Sequence, residues 1–223
     1  LPAMSLPTLE IETAPHPTAS VIVMHGLGAD GNDFVPIAKE LELGDVGPVR
    51  FVFPSAPSMP VTINGGYPMP AWYDIFAPDL VRREDEDGLR RSRDAIEALI
   101  AHEKSRGIPA GRIVLAGFSQ GCAMALMTGL RHPERLAGIV GLSGYLPLAA
   151  ATEAERHPAN QSTPVFLAHG TQDGVVVLPR ALDTRAALER LGYAVEWHDY
   201  PMAHSVCLEE IADLGAFLRR VLG

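Results

Sequence analysis

The chain has 223 residues, enough for one domain with a substantial buried core. Its composition, 47% hydrophobic and 20% charged residues, is that of an ordinary globular protein. The formal net charge of −9 argues against a nucleic-acid partner, which would need clustered lysines and arginines. The two cysteines, Cys122 and Cys207, are too few for a disulfide framework, and no Cys and His residues occur at zinc-site spacing. We therefore predict one domain over residues 1–223 that uses no metal and no cofactor.

No segment of the sequence resembles a signal peptide or a membrane span. The longest uncharged stretch, residues 136–152, is interrupted by glycines and a proline. We therefore predict a cytoplasmic protein without stable membrane insertion. Residues 1–4 end in a methionine that suits a native start, and we interpret them as a cloning remnant outside the fold.

Short apolar runs alternate with longer amphipathic patterns along the chain. The runs are rich in valine and isoleucine, which indicates β-strands, whereas the longer patterns indicate helices. Strands are predicted at residues 20–24, 49–53, 112–116, 136–142, 165–169 and 194–199, and helices at 34–41, 89–104, 122–130, 180–191 and 209–222. This alternation predicts an α/β fold, with a mostly parallel sheet, helices on both faces and ligands at the carboxyl ends of the strands.

Residues 54–78 do not fit this alternation. They contain six prolines and two consecutive glycines, yet they also carry many apolar and aromatic side chains, which argues against disorder. We predict an ordered loop that covers the site and supplies an apolar acyl pocket. The alternative is an irregular surface segment whose aromatic residues pack on the core. The same aromatic residues would serve a homodimer as readily as a substrate.

The pentapeptide GFSQG at residues 117–121 fits the G-x-S-x-G pattern of a nucleophile elbow. The pattern is weak evidence by itself, but a predicted strand precedes it and a predicted helix follows it. In that context Ser119 lies on a strained turn that exposes its hydroxyl, and the flanking glycines avoid clashes across the turn. The positive end of the helix points at the same place. Ser119 is therefore the candidate nucleophile.

A serine nucleophile needs a base and an acid, which in α/β-hydrolases follow it in the order acid, then histidine. Asp173 is the best candidate acid because it lies in a turn just beyond the predicted strand 165–169. A turn aspartate that bonds its own backbone is the alternative interpretation. Asp183 and Asp213 lie in helical patterns, and Asp199 lies at the end of a strand, which makes these three weaker candidates.

Three histidines are candidates for the base. His169 ends a strand and is interpreted as structural, and His198 lies inside the predicted strand 194–199. His204 lies in a loop beyond the last strand and before the last helix, which suits a base that must reach Ser119. We therefore predict His204 as the base, with His198 as the alternative.

The oxyanion hole needs two N–H donors. One comes from the residue after the nucleophile, here Gln120, and the other from the loop after an early strand. That loop begins with His25-Gly26-Leu27-Gly28, so the N–H of Leu27 is the natural second donor. His25 itself is interpreted as a structural residue that holds the loop.

These motifs resemble the carboxylesterase, lysophospholipase and acyl-protein thioesterase family of small α/β-hydrolases. The resemblance extends over nearly the whole chain. It rests on six motifs in the same order: HGLGAD at 25–30, PSAP at 54–57, AWYDI at 71–75, GFSQG at 117–121, HGTQD at 169–173 and HSVC at 204–207. One departure is visible after Asp173, where Pro179 comes later than in the Val-Val-Pro sequence common in the family.

The resemblance implies an α/β-hydrolase fold with about seven mainly parallel strands and no large cap domain. It implies a triad of Ser119, Asp173 and His204 with Leu27 and Gln120 as oxyanion donors. It also implies that the loop around Trp72 helps form an apolar substrate groove, for which the candidates are Met69, Trp72, Tyr73 and Ile75.

Three hypotheses about function follow. The first is a serine hydrolase that cleaves small carboxylic esters of short to medium acyl chains. The second is an acyl-protein thioesterase or lysophospholipase acting on longer acyl chains. The third, a binding protein without catalysis, is disfavoured because candidates occupy every triad and oxyanion position.

Overall fold

A computed structural model describes residues 5–78 and 83–223. Within these residues one sheet has seven strands in the order β1-β3-β2-β6-β7-β8-β9, with β1 antiparallel to β3 and the other pairs parallel. The strands are β1 (Thr8–Glu12), β2 (Ala19–Met24), β3 (Val49–Pro54), β4 (Ser58–Val61), β5 (Tyr67–Pro70), β6 (Ile113–Phe118), β7 (Gly138–Leu142), β8 (Val165–Gly170) and β9 (Val195–Tyr200). This arrangement confirms the predicted fold class. The predicted remnant, residues 1–4, lies outside the described residues.

Helices cover both faces of the sheet. They are α1 (Val35–Glu40), α2 (Glu86–Ser105), α3 (Gln120–Gly129), α4 (Ala149–Glu155), α5 (Leu178–Arg190) and α6 (Leu208–Leu222). Side chains of a strand alternate between faces. Ile113 and Leu115 therefore join one core with residues of α2, α3 and α5, whereas Val114 and Ala116 join another with residues of α1 and α6. This two-sided burial explains why β6, β7 and β8 read as continuous apolar runs.

The segment 54–78 is ordered, as predicted, but it is more regular than a loop. Its strands β4 and β5 form an antiparallel hairpin, closed by a short 3₁₀ turn and two glycines with positive φ, Gly65 and Gly66. The hairpin forms a two-stranded sheet separate from the central sheet, so its prolines are tolerated. In the central sheet the missing N–H of a proline would remove a hydrogen bond between neighbouring strands. Within the described residues nothing larger than this hairpin projects from the domain.

The sheet register brings the functional loops together. Met24 pairs with Gly117, so the loop after β2 starts beside the elbow after β6. Gly170 pairs with Tyr200, so the turn after β8 starts beside the loop after β9. All four segments leave the carboxyl ends of parallel strands at one edge of the sheet, which is where an open α/β sheet presents its ligand-binding residues.

Candidate active site

Ser119 lies on a sharp turn between β6 and α3. Its backbone has φ 59° and ψ −115°, a conformation that a residue with a side chain rarely adopts. The turn is held by the Ser119 N–H, which donates to the carbonyl of Leu142 at the end of β7 (2.8 Å). A Cβ at Gly117 would overlap the carbonyl of Gly121, and one at Gly121 would overlap the carbonyl of Met24. The sequence therefore needs glycine at both positions to form the elbow.

The three predicted triad residues meet in one hydrogen-bonded chain. His204 Nε2 lies 3.1 Å from Ser119 Oγ. His204 Nδ1 lies 2.7 Å from Asp173 Oδ2. An ionised carboxylate only accepts, so Nδ1 carries the imidazole proton and Nε2 is free to accept the serine hydroxyl proton. This is the arrangement that general-base activation of a serine requires.

Asp173 has both of the roles that its sequence position allowed: it bonds the backbone of its own turn, and it faces the histidine. Its side chain is fully buried. Oδ1 accepts the N–H groups of Val175 (2.8 Å) and Val176 (2.9 Å), as a turn aspartate does, while Oδ2 faces His204. The backbone bonds fix the carboxylate, and that leaves one oxygen aimed at the imidazole. The delayed proline at position 179 therefore does not disturb the acid.

The competing histidines do other work. His169 Nε2 donates to the carbonyl of Val176 (2.6 Å), and burial lowers the pKa of His169, so it is neutral and structural as predicted. His198 projects from β9 toward Glu196, with its Nε2 2.8 Å from Oε2, and packs on Phe166 of the core that lies beneath α6. The structure thus does not bring His198 to Ser119.

Both candidate oxyanion donors line the cavity beside Ser119. The N–H of Gln120 is at the first position of α3, where a helix provides no acceptor of its own. In the loop after β2, Gly28 donates to the carbonyl of Pro70 (2.9 Å), whereas no backbone acceptor in the described part of the chain takes the N–H of Leu27. The loop after β2 is therefore tied to β5 through Gly28, while the N–H of Leu27 is left without a backbone acceptor.

Trp72 holds this loop rather than lining the cavity, which corrects the sequence-based assignment of Trp72 as a pocket residue. The side chain is 1% exposed, and its Nε1 donates to the carbonyl of His25 (2.8 Å). His25 Nε2 accepts the N–H of Ala56 (2.9 Å), so its proton is on Nδ1, which faces the Gly26 carbonyl (2.7 Å). Burial lowers the pKa of His25, consistent with a neutral structural ring.

Gln120 has a second connection that the sequence did not reveal. Its side-chain Oε1 accepts the N–H of Trp72 and its Nε2 donates to the carbonyl of Tyr73, both at 2.9 Å. The residue predicted to offer a backbone N–H to the oxyanion thus also fastens the segment after the hairpin. The one signal in the sequence was a polar residue at the start of an apolar helical pattern.

A cavity of about 490 Å³ opens at Ser119. Of the four predicted pocket residues, Tyr73 and Ile75 line it, whereas Met69 and Trp72 do not. Its walls also include Ile63 and Asn64 of the segment predicted to supply the pocket, and Phe118 of the elbow. The remaining wall residues come from distant segments that sequence reasoning did not connect with the pocket: Asp33, Tyr145, Val175 and Val176. Most are apolar, so the cavity suits a hydrocarbon chain.

Two buried tyrosines meet at the cavity wall. Tyr73 and Tyr145 share a hydrogen bond between their hydroxyls (2.7 Å). Burial raises the pKa of Tyr145 to about 12 and raises that of Tyr73 as well, so both remain neutral. Burial also raises the pKa of Cys122 behind the elbow to about 12, so that thiol is not a competing nucleophile. In the described residues no three His, Cys, Asp or Glu side chains group as metal ligands.

Comparison with known proteins agrees with this geometry. A family model described as phospholipase/carboxylesterase matches residues 8–222. The chain belongs to this family. It is therefore a hydrolase of the esterase and thioesterase type, which confirms the resemblance inferred from the six motifs.

Two of the proteins to which this chain is similar are called acyl-protein thioesterase 1. The one from Yarrowia lipolytica is 40% identical, with 93% of this chain and 94% of the relative covered. The one from Neurospora crassa is 42% identical, with 95% and 90% covered. A solved structure of Zea mays acyl-protein thioesterase 2 superimposes with a TM-score of 0.86 at 27% identity, covering 97% of this chain and 99% of that one.

Proposed function

We propose that this protein is a cofactor-independent serine hydrolase of acyl esters in which Ser119, His204 and Asp173 form the catalytic triad. The observation that carries the proposal is the hydrogen-bonded chain from Ser119 Oγ through His204 to Asp173, with atoms 3.1 and 2.7 Å apart. The apolar cavity that opens at Ser119 supports an acyl chain as the substrate's recognised part.

In the proposed reaction Ser119 Oγ attacks the acyl carbonyl while His204 Nε2 takes its proton. Asp173 stabilises the imidazolium, and the N–H groups of Leu27 and Gln120 hold the oxyanion. His204 then protonates the departing group, which leaves an acyl-enzyme on Ser119. Water, activated by His204, hydrolyses that intermediate and restores the free serine.

A fluorescent alkyl phosphonate that labels activated serines tests the proposal. The protein should be labelled in stoichiometric amount, and Ser119→Ala should abolish both labelling and ester hydrolysis. Ser143→Ala is the matched control, because Ser143 lies at the neighbouring strand end but does not line the cavity. Labelling that persists in Ser119→Ala would refute the assignment of the nucleophile.

Two substrate ranges remain in competition. Small carboxylic esters of short to medium chain length are our first proposal. The names of the relatives favour the second, an acyl-protein thioesterase or lysophospholipase that acts on longer chains. A series of aryl esters with 2 to ~16 acyl carbons, run beside matched thioesters and a lysophospholipid, separates them. A steep fall in kcat/KM beyond short chains would support the first range, and a maximum at long thioesters the second.

Within the part of the chain that the structure describes, no helix combines the length and hydrophobicity needed to cross a bilayer. The cytoplasmic location and the homodimer stay predictions from the sequence. Size-exclusion chromatography with light scattering measures the oligomeric state directly.

A further inference from the structure

Asp33 contributes a carboxylate to a cavity wall that is otherwise apolar or uncharged. Among the described residues lining the cavity it is the one Asp, Glu, Lys or Arg side chain. Asp33 is exposed, and within residues 5–78 and 83–223 its carboxylate forms no hydrogen bond or ion pair. Its neighbour Asp30 is also exposed and uses one oxygen to accept the N–H of Asn32 (2.8 Å). The proposed mechanism gives Asp33 no role.

A chain of aromatic contacts connects the Asp33 segment with the catalytic base. Asp33 precedes Phe34, whose ring centroid lies 5.5 Å from that of Phe118. The Phe118 ring in turn lies 4.8 Å from the imidazole of His204. The segment that carries Asp33 is therefore connected with the part of the cavity wall that flanks His204, and both residues line the same cavity. The tyrosines Tyr73 and Tyr145 belong to the part that Gln120 fastens.

The direction of proton transfer decides which half of the substrate faces Asp33. His204 must deliver its proton to the departing oxygen or sulfur, so the leaving group has to lie on the His204 side of Ser119. The acyl chain then lies on the apolar side of the cavity, which is lined by Tyr73, Ile75 and Tyr145. A hydrocarbon is stabilised there because its apolar surface is removed from water. Asp33 consequently meets the leaving group and not the acyl chain.

From this we infer that Asp33 is a specificity-determining residue, which makes the enzyme prefer esters and thioesters whose leaving group carries a positive charge. The inference rests on the proposed function and names its substrate class. A cation beside Asp33 gains Coulomb attraction, and it also offsets the negative charge that Asp33 adds near the developing oxyanion. Two sources supply such a group: a small quaternary ammonium alcohol or thiol, and an acylated cysteine next to lysines or arginines.

A matched pair of thioesters tests the inference. Butyrylthiocholine carries a quaternary ammonium group, and S-(3,3-dimethylbutyl) thiobutyrate has the same shape without the charge. The measured quantity is the ratio of their kcat/KM values. Asp33→Asn should lower this ratio roughly threefold to tenfold, as expected for two charges ~4–6 Å apart in a solvated site. Asp33→Lys should invert the preference.

Asp45→Asn is the matched control. It removes the same net charge from an exposed position, but Asp45 precedes β3 and thus lies at the amino-end edge of the sheet, away from the cavity. Raising the salt from ~0.05 to ~1 M should lower the ratio for the unmodified protein, since the screening length falls to about 3 Å. This salt arm needs no variant.

A second pair of substrates separates the two sources of the cation. Two S-acyl-cysteine peptides, one with lysine and one with glutamine beside the cysteine, replace the small thioesters. A larger dependence on Asp33 with the peptides assigns the cation to protein substrates, and a larger dependence with the choline pair assigns it to small molecules. Equal ratios in Asp33→Asn and Asp45→Asn would overturn the inference while leaving the hydrolase intact. Failure to hydrolyse any of these substrates would overturn the proposed function and the inference together.

Discussion

At the scale of single residues, the site depends on one proton position. The carboxylate of Asp173 can only accept, so it keeps the proton of His204 on Nδ1 and leaves Nε2 basic toward Ser119. The backbone bonds from Val175 and Val176 hold the other oxygen of the carboxylate. An acid of the right charge in a different place would not fix the tautomer in this way.

Asp173→Asn should lower kcat for a short aryl ester by roughly 10⁴-fold. The amide oxygen can still accept from Val175 and Val176, so the amide nitrogen is left to donate to His204 Nδ1. That donation moves the imidazole proton to Nε2, which can then no longer accept from Ser119. The measurement is steady-state kinetics with a circular dichroism spectrum to establish folding. Asp199→Asn is the control, and activity above a tenth of normal in Asp173→Asn would contradict the assignment.

At the scale of elements, the segment after the hairpin, the predicted oxyanion loop after β2 and the elbow form one connected unit. Trp72 donates to the oxyanion loop at His25, and Gln120 on α3 binds the backbone on either side of the Trp72–Tyr73 peptide. Ser92 of α2 adds a bond to the carbonyl of Trp72. Four segments far apart in the sequence thus share one buried set of hydrogen bonds.

Trp72→Phe removes the Nε1 donor while it keeps an aromatic ring, and it leaves the buried His25 carbonyl without that partner. We expect a loss of about 1–3 kcal/mol in the free energy of unfolding, together with a lower kcat because the oxyanion loop is less firmly held. Urea denaturation and ester kinetics measure both. The chain offers its other tryptophan as control: Trp197→Phe removes a bond to Asp199 that is exposed to solvent. Equal effects of the two substitutions would refute the linkage.

At the scale of the whole molecule, one buried carboxyl group lowers the free energy of unfolding. Glu210 in the first turn of α6 is 0% exposed, and among the described residues its carboxyl group has no side-chain partner, only a contact with the backbone of Cys207 that partly offsets the cost of burial. Burial, reinforced by the nearby Asp213, raises the pKa of Glu210 to about 8. Because the folded protein holds the proton more tightly than the unfolded chain, this group lowers stability progressively as pH rises from about 4.5 to 8.

Glu210→Gln should therefore become more stable relative to the unmodified protein as pH rises through this range. The penalty removed is limited to about 1.4 kcal/mol per unit of pKa shift. Urea unfolding at pH 5, 7 and 9 gives the difference in free energy at each pH. Glu209→Gln, at the exposed neighbouring position, is the control and should show a difference that does not grow with pH. A flat difference for Glu210→Gln would contradict the prediction.

The sequence predicts those parts of the molecule in which local pattern and burial agree. The buried strands β6 and β7 are apolar throughout, β8 is apolar up to His169, and Ser119, Asp173 and His204 follow strand ends in a fixed order. The sequence did not predict strand β1, because Thr8–Glu12 is an edge strand whose side chains, including two glutamates, are mostly exposed. Part of the cavity wall was not predicted for another reason: Asp33, Tyr145 and Val175 come together only after the chain has folded, so no local pattern marks them.

The left-handed backbone at Ser119 has a consequence for how this protein can be improved. Such a conformation costs a residue with a side chain on the order of 1 kcal/mol or more, whereas glycine adopts it freely. The most stabilising replacement at position 119 is thus also the one that removes the nucleophile. Selection for thermal stability alone would favour glycine at position 119 and would yield an inactive protein. Directed evolution of this chain therefore has to measure turnover and stability in the same screen.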